Sequence, residues 1–441
     1  MKELKRICVI GANGTMGRNI SAIFASFGNA KVYMLCRDVS NAEEIVLKAC
    51  QSVKADAIKN RLVLVDYSRL EEVLLDSDLI YESVSENLDV KKQILEKINK
   101  VAKNNIEKFK TKIIATGTSG LSITQLSENL EDVIRNNFLG IHFFNPPYTM
   151  SLCEIIPTKY TRKEVVSFTK EYCDSVLLRT VVIIKDSPAF LANRVGFYFI
   201  NSALQLADKY RDNGGIDYID AIFGLYTGRA MTPIKTANFV GLDVHKAIVD
   251  NLYNNSNDYE NKSFKLPNFV NDLIKEGKMG KKVNEGFYKI EKNEFGKTEK
   301  VFDLTTKQYR NVYKYKFPYK DKMNVEISEG NYIEAFNILI NNHSKEAELC
   351  VKMLLKYILY ALNMSIETSE DILSVDDVMA TGFNWCPPLA MIDALGGKDL
   401  FVKLCEDRLD KIYLNEMNYE TIVSNIKPSK YDYRKFIRSE K

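Results

Sequence analysis

The strongest candidates for chemistry in this 441-residue chain are a histidine and a glutamate twelve positions apart. His142 stands at the end of a β-type run, Phe138–Phe143, and is the one histidine in the N-terminal part of the chain. Glu154 is the sole carboxylate in the apolar run Leu152-Cys-Glu-Ile-Ile156. An imidazole suits proton transfer near neutral pH, and an acid beside it fixes the tautomer and stabilises the imidazolium. A carboxylate inside an apolar strand wants a cationic partner. A His–Glu pair meets both needs and would serve as a base for a hydroxyl proton. The competing readings are a satisfied core histidine and a structural ion pair.

A second signal lies at the start. The β-rich segment Arg6–Ile10 runs into Gly11-Ala-Asn-Gly14-Thr15-Met16-Gly17, and helical spacing follows. Gly11 permits a tight turn, Gly14 lets backbone approach a pyrophosphate, and Gly17 lets the helix pack closely on the strand. The first-turn amides of that helix, around Thr15 and Met16, would face the phosphates. The reading is a dinucleotide site, although the spacing is G-x-x-G-x-x-G and carries one extra residue. Where such folds place an acid on the ribose, this chain has Cys36-Arg37-Asp38. Arg37 suits a 2′-phosphate and Asp38 a 2′-hydroxyl, so the cofactor is read as NAD or NADP.

The elements that must position these residues follow an alternating pattern over residues 1–186. Strand-like runs are expected at Arg6–Ile10, Lys31–Leu35, Leu62–Val65, Asp78–Glu82, Lys112–Ala115, Phe138–Phe143, Cys153–Ile156 and Val181–Ile184. Helical spacing covers Met16–Phe27, Ala42–Lys59 and Asp89–Ala102. Such alternation implies a largely parallel sheet with helices on both faces. After Ser187, a candidate cap with Pro188 in the first turn, helical spacing dominates to about residue 275. Residues 291–330 read as a linker, helical spacing returns over 331–425, and the basic tail 426–441 reads as a solvated end. GRAMTPIKTANFVGLD in the first helical block resembles FNWCPPLAMIDALGG in the second: Gly228, Pro233 and Gly241 match Asn384, Pro388 and Gly396. The fold class is therefore α/β: a Rossmann-type N-terminal domain (1–186) followed by two all-α C-terminal domains (187–290 and 331–425) related by duplication.

Composition narrows the class. At roughly 150 residues per domain the length suggests about three domains. Hydrophobic residues make up 46% and charged residues 27%, enough for sizeable cores, and the net charge of +3 argues against a nucleic-acid partner. No run of 18 or more apolar residues suggests a membrane span. MKELKRICVI enters a strand at once, which leaves no room for a signal peptide. The eight cysteines form no CxxC pair and most lie in apolar runs, as expected in a reducing cytoplasm. His142, His245 and His343 are too scattered for a metal site built on imidazole, and no metal is expected.

Taken in order, Ser85-Glu-Asn-Leu-Asp-Val-Lys91, Ala115-Thr-Gly-Thr-Ser119-Gly-Leu, Gly140-Ile-His-Phe-Phe-Asn-Pro-Pro147, Lys185-Asp-Ser-Pro-Ala-Phe-Leu-Ala-Asn193-Arg194 and Glu285-Gly-Phe-Tyr-Lys289 resemble the 3-hydroxyacyl-CoA dehydrogenases. The resemblance covers residues 5–290, with a second copy of the C-terminal domain after the linker. It implies His142 and Glu154 as the catalytic dyad, with Ser119 and Asn193 as the remaining active-site positions. Glu86, Lys91 and Lys289 match cofactor-contacting positions, and Asn145 would shape the substrate mouth. It implies an acyl-CoA substrate and the (3S) configuration at C3. Two departures stand out. Gly117 replaces the family's asparagine. The helical hairpin that helps cover CoA is reduced to one helix, on which Ser52 and Lys59 remain candidate contacts. In single-copy members the C-terminal domain forms the dimer contact, so a tandem copy implies a monomer with an internal pseudo-dimer.

The leading expectation is hydride transfer between a nicotinamide cofactor and the C3 hydroxyl of a hydroxyacyl-CoA. One alternative is a lambda-crystallin-like dehydrogenase of a free hydroxy acid or sugar acid, motivated by the shortened helix. The other is a non-catalytic nucleotide-binding protein, motivated by Gly117 and the irregular glycine loop.

Overall fold

The computed structural model describes residues 3–293 and 296–440. Residues 294–295 of the expected linker, Lys441 of the tail, and Met1 and Lys2 lie outside the described residues. The chain divides into two compact units: Met1–Phe190 with Thr368–Glu370, and Leu191–Glu367 with Asp371–Lys441.

Unit 1 is built on one sheet of eight strands: β1 (Arg6–Ile10), β2 (Lys31–Leu35), β3 (Leu62–Val65), β4 (Leu79–Glu82), β5 (Ile113–Thr116), β6 (Phe138–Phe143), β7 (Leu152–Pro157) and β8 (Thr180–Ile183). Their order is β3-β2-β1-β4-β5-β6-β7-β8. All neighbours are parallel except β6 and β7, which pair antiparallel. The central strands are almost wholly apolar and buried, as a sheet covered on both faces requires. A single register row crosses it: Val65, Leu35, Ile10, Glu82, Thr116, Gly140 and Ile156 stand side by side. The six parallel strands β1–β6 end at or just beyond that row. The loops that leave them gather at one edge, where open α/β sheets bind ligands.

The flanking helices include α1 (Thr15–Ser26) and α2 (Ala42–Ser52). The helix expected over Ala42–Lys59 stops at Ser52, and a 3-10 turn over Asp56–Arg61 follows. Lys54 has φ +54°, a left-handed conformation that no helix continues through. The segment at Ser187-Pro188 does not start a helix either. Ala189 and Phe190 adopt φ +57° and +59°, and the helix begins at Ala192. Asp186 instead anchors the segment: it accepts hydrogen bonds from the Ile123 and Thr124 amides and the Ser122 hydroxyl.

Unit 2 is mainly helical, with long helices Ala192–Lys209 and Lys345–Thr368. The second is long and apolar enough to cross a membrane by composition, but most of it is buried inside the protein, as a core helix is. The expected linker is structured. It contains a three-stranded antiparallel sheet, β9 (Tyr288–Asn293), β10 (Gly296–Phe302) and β11 (Tyr309–Asn311), and a helix Pro318–Glu329. Arg310 binds the buried Asp217 carboxylate through both terminal nitrogens at 2.8 Å, which ties the sheet to the first helical block. The basic tail is not a solvated end. Ser429 donates to Asp376, Lys430 pairs with Asp377, and Glu440 accepts from the Leu225 amide and pairs with Lys320. His343 contacts Glu348 at 3.1 Å on an exposed surface, where Arg408 holds the same carboxylate.

Candidate active site

The antiparallel turn between β6 and β7 makes His142 and Glu154 direct cross-strand partners. Nδ1 of His142 lies 2.8 Å from Oε2 of Glu154. Both residues are buried, and the rings of Phe144 and Phe190 stand 4.5 and 5.5 Å from the imidazole. A carboxylate oxygen accepts, so Nδ1 carries the hydrogen and Nε2 is the nitrogen able to receive a proton. Asn145 follows on the exposed loop and precedes a cis proline.

Ser119 lies three residues past the end of β5, at the same edge. Its backbone amide donates to Glu86 at 2.8 Å, and the Thr118 hydroxyl donates to the same carboxylate oxygen. Lys91 is buried rather than presented at the surface. Its ammonium donates to both oxygens of Glu82 at 3.1 and 3.2 Å and lies 3.4 Å from Glu86. Glu82 also accepts from the Thr116 hydroxyl and the Val84 amide, each at 2.6 Å. Glu82 thus joins the ends of β4 and β5 to the helix that carries Lys91. Sequence reasoning missed it, although the signal was the one that found Glu154: a lone carboxylate in an apolar strand.

The glycine turn precedes α1 as expected. Gly11 has φ +84°, and a Cβ there would lie 2.6 Å from the Ser83 carbonyl oxygen. A Cβ on Gly17 would lie 2.5 Å from the Gly11 oxygen. Gly14 is different, because a Cβ there would meet nothing closer than 3.4 Å. The protein's own packing demands glycine at 11 and 17 but not at 14, whereas a phosphate lying against the backbone would demand it there. The amides of Thr15, Met16 and Gly17 open α1, and the helix offers them no acceptor of its own. These residues fit a dinucleotide.

At the end of β2, Cys36 is buried against the turn, and burial pushes its thiol up to about 11. Arg37 and Asp38 are exposed, and Asp38 accepts from the Ser40 amide at 2.8 Å. The Ser52 hydroxyl donates to the Ala49 carbonyl of its own helix at 2.7 Å, and Lys59 is an exposed residue of the 3-10 turn. In unit 2, Asn193 is buried in the first turn of Ala192–Lys209. Lys289 on β9 pairs with Glu291 at 2.9 Å and lies over the Tyr309 ring.

Residues 6–187 match the model of the 3-hydroxyacyl-CoA dehydrogenase NAD binding domain, and residues 190–290 match the model of its C-terminal domain. The chain belongs to the 3-hydroxyacyl-CoA dehydrogenase family. A Deinococcus radiodurans relative named "Probable 3-hydroxyacyl-CoA dehydrogenase" is 32% identical over 69% of this chain and 88% of its own. A Bacillus subtilis relative of the same name is 32% identical over 91% of this chain, which spans about half (52%) of that protein's length. A crystal structure of 3-hydroxybutyryl-CoA dehydrogenase from Escherichia coli shares the fold with TM-score 0.66 at 20% identity, over 92% of this chain and 94% of that one. The cofactor of such an NAD binding domain is NAD(P).

Proposed function

We propose that this member of the family is itself a 3-hydroxyacyl-CoA dehydrogenase, which interconverts a (3S)-hydroxyacyl-CoA and the 3-ketoacyl-CoA. The observation that carries the reading is the buried His142–Glu154 contact at the carboxyl edge of a sheet whose first turn fits a dinucleotide. NAD(P), when bound, supplies the acceptor for the hydride that leaves C3. His142 takes the hydroxyl proton on Nε2, and Glu154 stabilises the imidazolium that results. The Phe144 and Phe190 rings pack beside the imidazole and limit its orientation. Ser119 offers a hydroxyl to the reacting oxygen, and Asn193 an amide to the substrate carbonyl. Glu86 holds the Ser119 loop while staying open at the surface as a candidate cofactor contact, and Lys91 pairs with it from behind. Gly11, Gly14, Gly17 and the Thr15 and Met16 amides take the pyrophosphate, Arg37 the ribose 2′-phosphate where the cofactor is NADP, and Lys289 a further cofactor contact. Asn145, Ser52 and Lys59 remain candidate contacts to the acyl-CoA.

We also propose that residues 187–290 and 331–425 are two copies of one domain. In the first, the buried Asp220 accepts from the Ile234 amide at 2.9 Å, just inside the helix that starts at Pro233. In the second, the buried Asp376 accepts from the Leu389 amide at 2.9 Å, just inside the helix that starts at Pro388. Gly228 and Asn384, matched in the sequence, are both left-handed, at φ +82° and +53°. The residues that follow them, Arg229 and Trp385, pair with each other in an antiparallel bridge. This arrangement supports a monomer whose pseudo-dimer is internal. The eight cysteines are all reduced and buried, which supports a reducing cytoplasm.

The test is turnover of 3-hydroxybutyryl-CoA against free 3-hydroxybutyrate, with NAD and NADP side by side, in the parent and in Arg37→Ala. The CoA ester is expected to be the preferred substrate, and a preference for the free acid would overturn the reading. An obligate dimer in sedimentation at micromolar concentration would count against the internal pseudo-dimer.

A further inference from the structure

Gly117 stands where the relatives' pattern led us to expect an asparagine, and the structure gives a local reason for it. A Cβ at Gly117 would lie 2.2 Å from the Tyr81 hydroxyl oxygen and 2.8 Å from the carbon that bears it. No side chain fits there while Tyr81 holds its place. Tyr81 belongs to β4, opposite Ala115 of β5. Its ring is buried, packed edge-on to Phe24 at 5.8 Å and tilted against Phe143 at 6.1 Å. Its hydroxyl passes Gly117, just beyond the end of β5, and donates to the Ile141 carbonyl at 3.0 Å. Ile141 lies one residue past the last register pair between β5 and β6, Thr116 with Gly140, and immediately before His142. Burial raises the phenol well above its ordinary range, so the group stays a donor at any pH the protein meets.

One side chain therefore touches both segments that carry the proposed chemistry. Against Gly117 it limits how closely the loop to Ser119 can approach, and at Ile141 it holds the strand that carries His142. We infer that Tyr81 is a positioning residue, with Gly117 as its obligatory partner, that fixes the spacing between the Ser119 loop and the His142–Glu154 pair. The inference rests on the dehydrogenase reading for its catalytic consequence, but not for its geometry. While the phenol stands in place, position 117 cannot gain a side chain.

Three variants test this: Tyr81→Phe, Gly117→Ala, and Tyr81→Val combined with Gly117→Ala, with Tyr81→Val alone as reference. Tyr81→Phe keeps the ring and removes the donor. Its kcat for acetoacetyl-CoA reduction is expected to fall about tenfold, with the KM for NADH within about twofold of the parent. The downfield proton resonance of His142 Nδ1–H, assigned by its loss in His142→Gln, should broaden or exchange at least about tenfold faster, a change that a generally looser core would not confine to this proton. Gly117→Ala should lose about a hundredfold in kcat or fail to fold. The double variant should match Tyr81→Val alone, because removal of the phenol removes the clash. Tyr81→Phe with parental kcat and an unchanged His142 resonance would overturn the inference. So would Gly117→Ala with parental activity, or a double variant no better than Gly117→Ala. If the parent turns over no acyl-CoA, the substrate reading fails by itself. The His142 resonance, and whether the thermal midpoint of the double variant matches that of Tyr81→Val alone, then still decide for or against Tyr81.

Discussion

Two buried carboxylates stand three strands apart in the sheet of unit 1, Glu82 on β4 and Glu154 on β7, and they have opposite kinds of partner. Glu82 faces the ammonium of Lys91, a fixed charge, with a hydroxyl and an amide completing its shell. Glu154 faces an imidazole, whose charge comes and goes with one proton. Both are lone acids in apolar strands, and both end at the same edge. The difference is that a permanent ion pair makes a rigid strut, whereas a pair with a titrating member can take up and release a proton. Burial alone does not mark an acid as catalytic; the chemistry of its partner does.

The largest expected effect comes from breaking the titrating pair at the imidazole. His142→Gln should lower kcat by about three orders of magnitude while NADH affinity, read by fluorescence titration, changes less than about threefold. The fixed pair should answer in stability instead. Glu82→Gln strands the Lys91 charge in a dry site and should cost about 3 kcal/mol in chemical denaturation, with much of it recovered by adding Lys91→Met. Glu154→Gln should reduce kcat about a hundredfold, less than the loss of the imidazole, because the base survives without its stabiliser. A third buried acid sharpens the contrast, since among the described residues Asp376 has no cation beside it. Burial pushes its carboxyl up to about 7, with Asp377 and Asp393 adding to the rise and the Ser429 hydroxyl and Leu389 amide opposing it. A carboxyl raised on folding adds stability that is complete below the unfolded value, near 3.8, and lost as pH rises through about 7. Relative to Asp376→Asn, the parent should therefore gain about 1 kcal/mol between pH 8 and pH 6. A constant difference across that window would place the Asp376 titration elsewhere.

Much of this could be read before the structure. The eight strands fall within two residues of their expected bounds, because a buried parallel sheet imposes continuous β-branched runs that few other elements tolerate. The dyad was legible because two unusual residues sat in adjacent apolar strands, where register alone could join them. The Glu82–Lys91 strut was not, since Lys91 lies on a helix whose other lysines face solvent, and only tertiary packing shows which of them turns inward. The same holds for the tail, where Ser429, Lys430 and Glu440 look like solvated polar residues until their acceptors on distant helices are known. The region around 291–330 misled because its exposed lysines and asparagines hide the alternation of β9 and β10, whose inner faces rest on few apolar residues. Gly117 looked like a defect in a motif, and only the position of Tyr81 shows why the side chain is missing there.

The bridge between Arg229 and Trp385 has a consequence for how such a chain can evolve. Arg229 is fully buried, with its guanidinium 3.7 Å from the Phe199 ring, 4.8 Å from Trp385 and 5.1 Å from Tyr357. On the tandem reading, these are corresponding positions meeting across a local two-fold axis. Between identical subunits, whatever occupies such a place must meet its own twin, and two buried guanidiniums would repel. Only halves that differ in sequence can put a cation on one side and an indole on the other. On that reading, a buried cation in the Arg229 half disfavours its return to pairing with a copy of itself.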